Sequence, residues 1–155
     1  MPFSYALQHG IGQLIASVNA LSPYTATAGG AGDNTQQTGI TLDRQSIGRE
    51  YLSAQVAIPY KATLAAAKKV TVSSIVEDSA DGASWATYVT GLSSSVVGST
   101  TSTAAQTLNS ALTYNVDLGS ARRYVRVDVT ADLSAANTDT FAFAAVAALG
   151  GQDRI

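Results

Sequence analysis

Hydrophobic and polar residues alternate one by one over several short segments of this chain. The clearest segment runs from Tyr124 to Thr130, where Val125, Val127 and Val129 alternate with polar residues. Neighbouring side chains of a β-strand point to opposite faces of the sheet, so this pattern predicts a strand with one buried face.

The same alternation from Leu52 to Tyr60 predicts a second half-buried strand. Pro59 has no N–H to give to a sheet and is therefore expected at the end of the strand or at a sheet edge. The alanine-rich segment Lys61–Lys69 is short, and we interpret it as a connection. Gly91–Ser102 is interpreted as a loop or weak strand, and Ala104–Val116 as one or two strands.

The segment Val70–Val89 has the pattern of a β-hairpin. It begins with β-branched residues and carries Asp81-Gly82 in its middle, a turn signal because glycine tolerates the positive φ of tight hairpins. Trp85, the only tryptophan of the chain, is predicted at the start of the second strand. We therefore assign Asp81, Gly82 and Trp85 a structural role in the hairpin.

The segment Thr138–Leu149 predicts a closing strand that is apolar on both faces. Phe141 and Phe143 are expected in the core. The opposite face carries only small side chains at Ala142, Ala144 and Ala148. Such a face suits close packing by another subunit, and the alternative is that the arm or a loop of the same chain covers it.

Roughly eight short strands with turn signals between them predict an all-β fold, a jelly-roll-like antiparallel β-sandwich with an extended N-terminal arm. We divide the chain into an N-terminal arm (1–24), a Gly-rich loop (25–39) and a β-sandwich domain (40–155). The alternative for the arm is a first strand near Gln13 to Ala20. Candidate partner contacts in the arm are Phe3, Tyr5, Leu7, Ile11 and Leu14.

The Gly-rich loop contains Gly29, Gly30 and Gly32, which raises the question of a phosphate-binding loop. No Lys-Ser or Lys-Thr pair follows these glycines and no helix is predicted after them, so the context of that motif is missing. We interpret the segment as a flexible surface loop.

Composition narrows the function classes. The chain has 155 residues, of which 46% are hydrophobic and only 13% charged. Charged side chains normally cover exposed surface, so we expect neighbouring subunits to cover part of it. The net charge of −2 and the scattered basic residues do not favour nucleic-acid binding. No apolar run is long enough for a membrane helix, no secretory signal is seen, and the absence of cysteine excludes disulfides and thiolate metal sites.

Candidate chemistry is sparse. The single histidine, His9, lies in the arm without evident partners, and no Gly-x-Ser-x-Gly motif occurs. Glu77, Asp78 and Asp81 could contribute to a calcium site, but their spacing does not match an EF-hand and Asp81 already has a turn role. Trp85 could instead be a platform for ligand stacking. We predict no catalytic, cofactor-binding or metal-binding residues, and hence no enzyme.

Several segments taken together resemble a family of small virion proteins of tailed bacteriophages. The motifs that carry the resemblance are Leu42-Asp43-Arg44, Asp81-Gly82-Ala83-Ser84-Trp85, Tyr124-Val125-Arg126-Val127 and the terminal Leu149-Gly150-Gly151. The resemblance covers most of the chain from about residue 30 onward and does not include the arm. It implies a capsid decoration, or cement, protein with a jelly-roll fold and no catalytic residues.

This resemblance leads to a functional expectation. The protein is expected to be made in the host cytoplasm, to bind the major capsid protein on the exterior of the virion as a homo-oligomer (dimer or trimer), and to stabilise the shell by bridging capsomers. Nucleic-acid, membrane and cofactor partners are not expected. The alternatives are a β-sandwich module that binds a carbohydrate or host receptor, and a head–tail connector or tail component.

Overall fold

The computed structural model describes residues 15–46, 49–134, 138–151 and 153–154. The described residues form ten strands: β1 (Ala16–Thr27), β2 (Leu42–Asp43), β3 (Arg49–Glu50), β4 (Ser53–Leu64), β5 (Lys69–Ser79), β6 (Ala86–Gly98), β7 (Gln106–Asp117), β8 (Tyr124–Leu133), β9 (Thr140–Gly150) and β10 (Asp153–Arg154).

Eight of these strands form two four-stranded antiparallel sheets. Sheet A has the strand order β1-β9-β4-β7 and sheet B has the order β2-β8-β5-β6, while β3 pairs only with β10. Each sheet therefore combines strands from the two ends and the middle of the chain, as in a jelly roll, where a long antiparallel hairpin wraps into two sheets. The predicted all-β, jelly-roll-like sandwich is confirmed.

The core lies between the two sheets and follows from the alternation in the sequence. Val125, Val127 and Val129 are buried on β8, and Phe141 and Phe143 on β9. The two sheets fill the space between them with valine, leucine, alanine and phenylalanine side chains, and a gap between the sheets holds only about 10 Å³. A gap of this size is too small for an organic ligand.

The predicted hairpin is formed by β5 and β6. Gly82 has a φ of 73° at the tip, as its turn position requires. Asp81 fixes the tip, since its Oδ1 accepts hydrogen bonds from the backbone N–H groups of Ala83 and Ser84 and from the hydroxyl of Ser79. Trp85 lies one residue before β6 begins.

The chain enters the sandwich earlier than the predicted arm and loop boundaries suggest. Residues 16–27 form β1, which pairs with β9 at the edge of sheet A. The alternative of an early strand therefore describes residues 16–20 better than the arm does. Irregular pairing between Asn19 and Tyr24 places Ala20 and Leu21 both in the interior. This bulge interrupts the period of two and hides the strand from pattern analysis.

The prediction for Pro59 is wrong, because β4 continues to Leu64 and lies inside sheet A between β9 and β7. The pairing with β9 omits Ile58 and Pro59 and resumes in the same register at Tyr60. An interruption of this kind accommodates a residue that has no N–H to donate. The connection to β5 is reduced to residues 65–68.

Two other segments are more regular than expected. β6 continues through Gly98, so most of the predicted loop or weak strand at 91–102 is a strand, and residues 106–117 form the single strand β7. Gly91 lies where a Cβ atom would come within 2.4 Å of the Tyr114 ring. The glycine therefore lets this ring from sheet A approach β6 closely.

The Gly-rich segment follows the free edge of β8 instead of forming a flexible loop. The backbone N–H groups of Asn34 and Gln37 donate to the carbonyls of Ala131 and Val129. Ile40 donates to the carbonyl of Ala20 in β1, so the segment connects the two sheets along one side of the sandwich. A Cβ atom at Gly39 would lie 2.3 Å from the carbonyl oxygen of Val127, so this close approach requires glycine.

Candidate interaction surface

The outer face of sheet A is a continuous surface of mostly small, uncharged side chains, which we call the A face. It is formed by the residues of β1, β4, β7 and β9 that alternate with the core positions. These are Ser17, Asn19, Thr25 and Thr27; Ser53, Gln55, Ala57, Pro59, Lys61 and Thr63; Thr107, Asn109, Ala111, Thr113, Asn115 and Asp117; and Thr140, Ala142, Ala144, Val146 and Ala148. The small-residue face predicted for the last strand is the middle of this surface.

Two residues of the A face are charged. Lys61 lies toward one end of β4, and Asp117 lies at the other end of the face, opposite Ser53. The Asp117 Oδ1 accepts a hydrogen bond from the backbone N–H of Gly119. Within the described part of the chain, neither side chain forms an ion pair. A surface built for solubility carries about 25–35% charged residues, so the A face is poor in charge for a surface that meets water.

The A face is slightly concave on either side of its middle. Val146, near the centre, keeps 39% of its surface exposed. One shallow depression of about 390 Å³ lies over Ala142 and Ala144, between β1 and β4. Another of about 400 Å³ lies over Ala148 and is bordered by Ile15 and Asn115. Both are wide open, so they suit contact with a protein surface better than enclosure of a small ligand.

The outer face of sheet B, the B face, is built differently. Arg126 on β8 donates from its Nε to the Glu77 carboxylate at 2.7 Å, and Glu77 lies opposite on β5. The Arg126 guanidinium carbon lies 4.4 Å from the centre of the Trp85 ring. This cation–π contact covers one side of the ring, so Trp85 does not present that side to a ligand.

Asp128 on the B face is only 1% exposed, because the Gly-rich segment lies over it. Its carboxylate accepts hydrogen bonds from the Gly39 N–H at 2.8 Å and from the Gln36 side-chain amide at 2.6 Å. Burial raises the pKa of Asp128, and the nearby Glu77 carboxylate adds to the rise, while Gly39 and Arg126 oppose it. The charged Asp128 carboxylate thus holds the Gly-rich segment in place, although its burial costs desolvation free energy.

Arg44 holds one end of the sandwich together. Its side chain is 4% exposed and donates to the backbone carbonyls of Tyr51, Ala121 and Arg122 at 2.6–3.0 Å. The Glu50 carboxylate lies 2.6 Å from the same guanidinium. A planar group with five donors can join these separate loops, and a lysine cannot. The function of Arg44 in the Leu-Asp-Arg motif is therefore structural.

Two further ion pairs stabilise the same end. Arg122 donates twice to the Asp78 carboxylate at 2.6 and 2.9 Å. Burial alone would raise the pKa of Asp78, but the hydrogen bonds from the side chain and backbone of Arg122 outweigh it and lower the pKa. Arg123 binds the Asp43 carboxylate, and this hydrogen-bonded pair lowers the pKa of Asp43.

These contacts direct the three carboxylates of the candidate calcium site toward different partners. Glu77 faces Arg126, Asp78 faces Arg122, and Asp81 is committed to the turn, where the backbone hydrogen bonds hold its pKa far below the usual range. In the described ranges, no group of three or more His, Cys, Asp or Glu side chains could hold a metal ion. No helix in the described part of the chain is long and apolar enough to cross a bilayer.

The partner contacts predicted in the arm, Phe3, Tyr5, Leu7, Ile11 and Leu14, and also His9, lie outside the described residues. Arg44 and Arg126 organise the end of the sandwich and the B face, and no role was predicted for either from the sequence. The signal available for Arg126 was its place in an alternating strand opposite an acidic one. The sequence carries no such signal for Arg44, because its carbonyl partners lie up to 78 residues away.

The chain is similar to known proteins in structure only. No protein-family model and no curated protein sequence matches the chain. The solved structures similar to it include infectious bursal disease virus of the Gx strain (6% identity, TM-score 0.47) and of the Gt strain (11%, 0.46). They also include the VP2 subviral particle of the same virus (10%, 0.48).

These alignments cover 87–90% of this chain but only 32–33% of the other chains, so the chain spans about a third of their length. At such identities and TM-scores, the likeness says nothing about function.

Proposed function

We propose that this protein is a structural component of a virus particle, namely a capsid decoration protein of a tailed bacteriophage. In this role it binds the outer surface of the major capsid shell as a homo-oligomer and stabilises the shell by bridging neighbouring capsomers. Binding through many copies gives avidity that a single weak contact lacks.

The observation that carries the proposal is the A face. A jelly roll can serve ligand binding or assembly, and the two uses need different surfaces. Ligand binding needs a concave site with converging polar groups, whereas the described interior is packed and apolar. Assembly of copies into a homo-oligomer, which this role requires, needs an extended surface with little charge to desolvate, and the A face provides one across four strands.

The resemblance to phage decoration proteins adds a second, independent line of support. Two of its motifs have structural roles here. Leu42-Asp43-Arg44 supplies the arginine that joins three carbonyls and the aspartate that pairs with Arg123. Tyr124-Val125-Arg126-Val127 supplies the cation that pairs with Glu77 and stacks on Trp85. The motifs therefore specify the fold on which a decoration function would be built.

The alternative of a carbohydrate-binding module depends on Trp85. Its ring is covered on one side by Arg126, so that side is not available for stacking on a sugar. A glycan array with the native chain and Trp85→Ala tests this alternative, and binding that is specific and lost in the variant would favour it. A head–tail connector is distinguished by copy number, with about six or twelve copies per particle instead of several hundred.

The proposal is tested with particles that carry or lack this protein. Deletion of its gene should lower the melting temperature of the capsid, and addition of the purified protein should restore it. Arg44→Met, expected to impair folding, serves as the negative control for addition. Equal melting of the two kinds of particle, with no binding of the purified protein to the shells, would contradict the proposal.

A further inference from the structure

The two charges on the A face lie at equal distances, measured along the strands, from one row of residues. Asp117 lies opposite Ser53, and Lys61 follows Ser53 by eight residues on β4. The midpoint between the two positions along the strands is therefore Ala57. Ala57 is paired with Thr113 on one side and with Val146 on the other, so a row of uncharged residues crosses the sheet at this midpoint.

A two-fold axis that lies along this row would place the positive charge of one copy opposite the negative charge of the other. Rotation about an axis in the plane of the face and perpendicular to the strands reverses the direction of the strands. The Lys61 end of one copy then covers the Asp117 end of the other, once on each side of the axis. An isologous interface forms every contact twice, so this arrangement yields two identical ion pairs.

We propose that the A face is the contact surface of a two-fold symmetric homodimer, in which Lys61 of each copy pairs with Asp117 of the other. The two sheets stack with their strands antiparallel and near alignment, which is a common packing mode of β-sheets. This inference concerns self-association alone and holds whether or not the protein decorates a capsid.

The reach of the side chains permits these pairs. Stacked sheets lie about 10 Å apart and neighbouring strands about 4.8 Å apart, so Lys61 on β4 must span about 11 Å to reach the backbone of the partner's Asp117 on β7. An extended lysine and an aspartate together cover this distance. Lys61 borders one depression of the A face and Asn115, near Asp117, borders the other. The facing depressions leave room for the lysine stem.

The size of the A face agrees with a dimer. Its strands have 11 or 12 residues. With a rise of about 3.3 Å per residue and a spacing of about 4.8 Å, four such strands cover roughly 40 by 19 Å, or about 750 Å². A stable interface of standard size buries about 800 Å² on each partner. The uncharged row with Ala57 and Val146 lies at its centre, and the ion pairs lie nearer its ends, as in a typical interface.

The first test is sedimentation of the full chain over a range of concentrations. The expected species has twice the 15.9 kDa mass of one chain. Lys61→Asp and Asp117→Lys each place like charges opposite one another, and each should weaken the dimer at least about tenfold. The double variant Lys61→Asp/Asp117→Lys restores opposite charges and should recover most of the affinity. Asp132→Lys, an equal charge reversal on the B face, should leave the dimer unchanged, and circular dichroism confirms folding of each variant.

A second test uses the absence of natural cysteine. Ala57→Cys places a thiol next to the proposed axis, so a short bismaleimide should join two copies in high yield. Ala86→Cys, an exposed position at the start of β6 on sheet B, is the matched control and should give only single modification.

Any one of three results would overturn the proposal. In the first, the full chain sediments as a monomer or a trimer. In the second, the double charge variant recovers no affinity. In the third, the thiol introduced by Ala57→Cys resists modification in a monomer, which would show that the same chain covers its own A face.

Discussion

The two sheets of this sandwich share one core but differ in how they treat their outer surfaces. On the B face, Arg126 is held by Glu77 and Asp128 is covered by the Gly-rich segment, so three charged groups of this face find their partners within the chain. The A face carries small neutral side chains and two charges without an ion-pair partner in the described residues. The chain thus uses buried and paired charges to complete its own fold on one side, and leaves the other side suited to contact with protein.

The end of the sandwich that Arg44 holds together should be the most sensitive to substitution. Arg44→Met removes a buried guanidinium and leaves three carbonyls and the Glu50 carboxylate without their donor. We expect a loss of about 3–5 kcal/mol in the free energy of unfolding. Urea denaturation at a protein concentration at which the native chain is monomeric measures it, with Lys61→Met on the A face as the control.

That control sharpens the comparison between the sheets. Lys61 forms no ion pair within the described chain, so Lys61→Met should change the stability of the monomer by less than about 0.5 kcal/mol. Equal losses for the two variants would contradict the view that the charges of the two sheets have different roles.

The Asp78–Arg122 pair should give the next largest effect. Asp78→Asn removes the charge but keeps an oxygen for the Arg122 N–H, so we expect a loss of about 1–2 kcal/mol at pH 7. The folded-state pKa of Asp78 lies below the ordinary value of 3.8, so its stabilising contribution is present above that value and is lost as the pH falls further.

The measurement is urea denaturation of the native chain and Asp78→Asn at pH 7 and near pH 3. The difference between the two proteins should shrink at the lower pH. A difference that stays constant would show that the ionised carboxylate is not the source of the stability.

Asp128 should behave in the opposite way and give a smaller change than Asp78. Asp128→Asn can keep both anchoring hydrogen bonds if the Gln36 amide rotates to present its oxygen. Because burial raises the folded-state pKa of Asp128, its ionised form is a cost at neutral pH, and the variant should be as stable as the native chain or more stable by up to about 1 kcal/mol.

The gain in stability of Asp128→Asn over the native chain should decrease as the pH falls through the raised pKa of Asp128. The native carboxyl group then takes up a proton in the folded state. Thermal melts from pH 7 to pH 4 measure it, and the exposed Asp132→Asn is the control. A loss of more than about 1 kcal/mol in Asp128→Asn at pH 7 would identify Asp128 as a required counterion of Arg126.

The sequence predicted those parts of the fold in which local pattern and tertiary environment agree. The alternation around Val127 and the Asp81-Gly82 turn are local signals, and both the strand and the hairpin were found from them. β1 was obscured because the bulge near Ala20 buries two consecutive residues. The serine-rich part of β6 is a strand because β5 supplies its hydrogen bonds, which no local preference reveals.

The surface was predicted less completely for a related reason. The small residues of β9 indicated a face suited to contact, but its extent depends on which strands lie beside β9. β4 and β1 are neighbours of β9 although about 90 and 120 residues separate them along the chain. The relation between Lys61 and Asp117 likewise depends on the register of β4 with β7 and cannot be read from the spacing of the two residues.

The proposed role of the A face as a protein contact surface in a decorated virus shell can be observed in the particle itself. Electron cryomicroscopy of the intact virion at side-chain resolution is the decisive experiment. We expect this chain on the exterior of the shell in pairs, joined through their A faces with Lys61 beside the partner copy's Asp117. Particles whose shell lacks this chain, or in which its A face is open to solvent, would show that the proposed role is wrong.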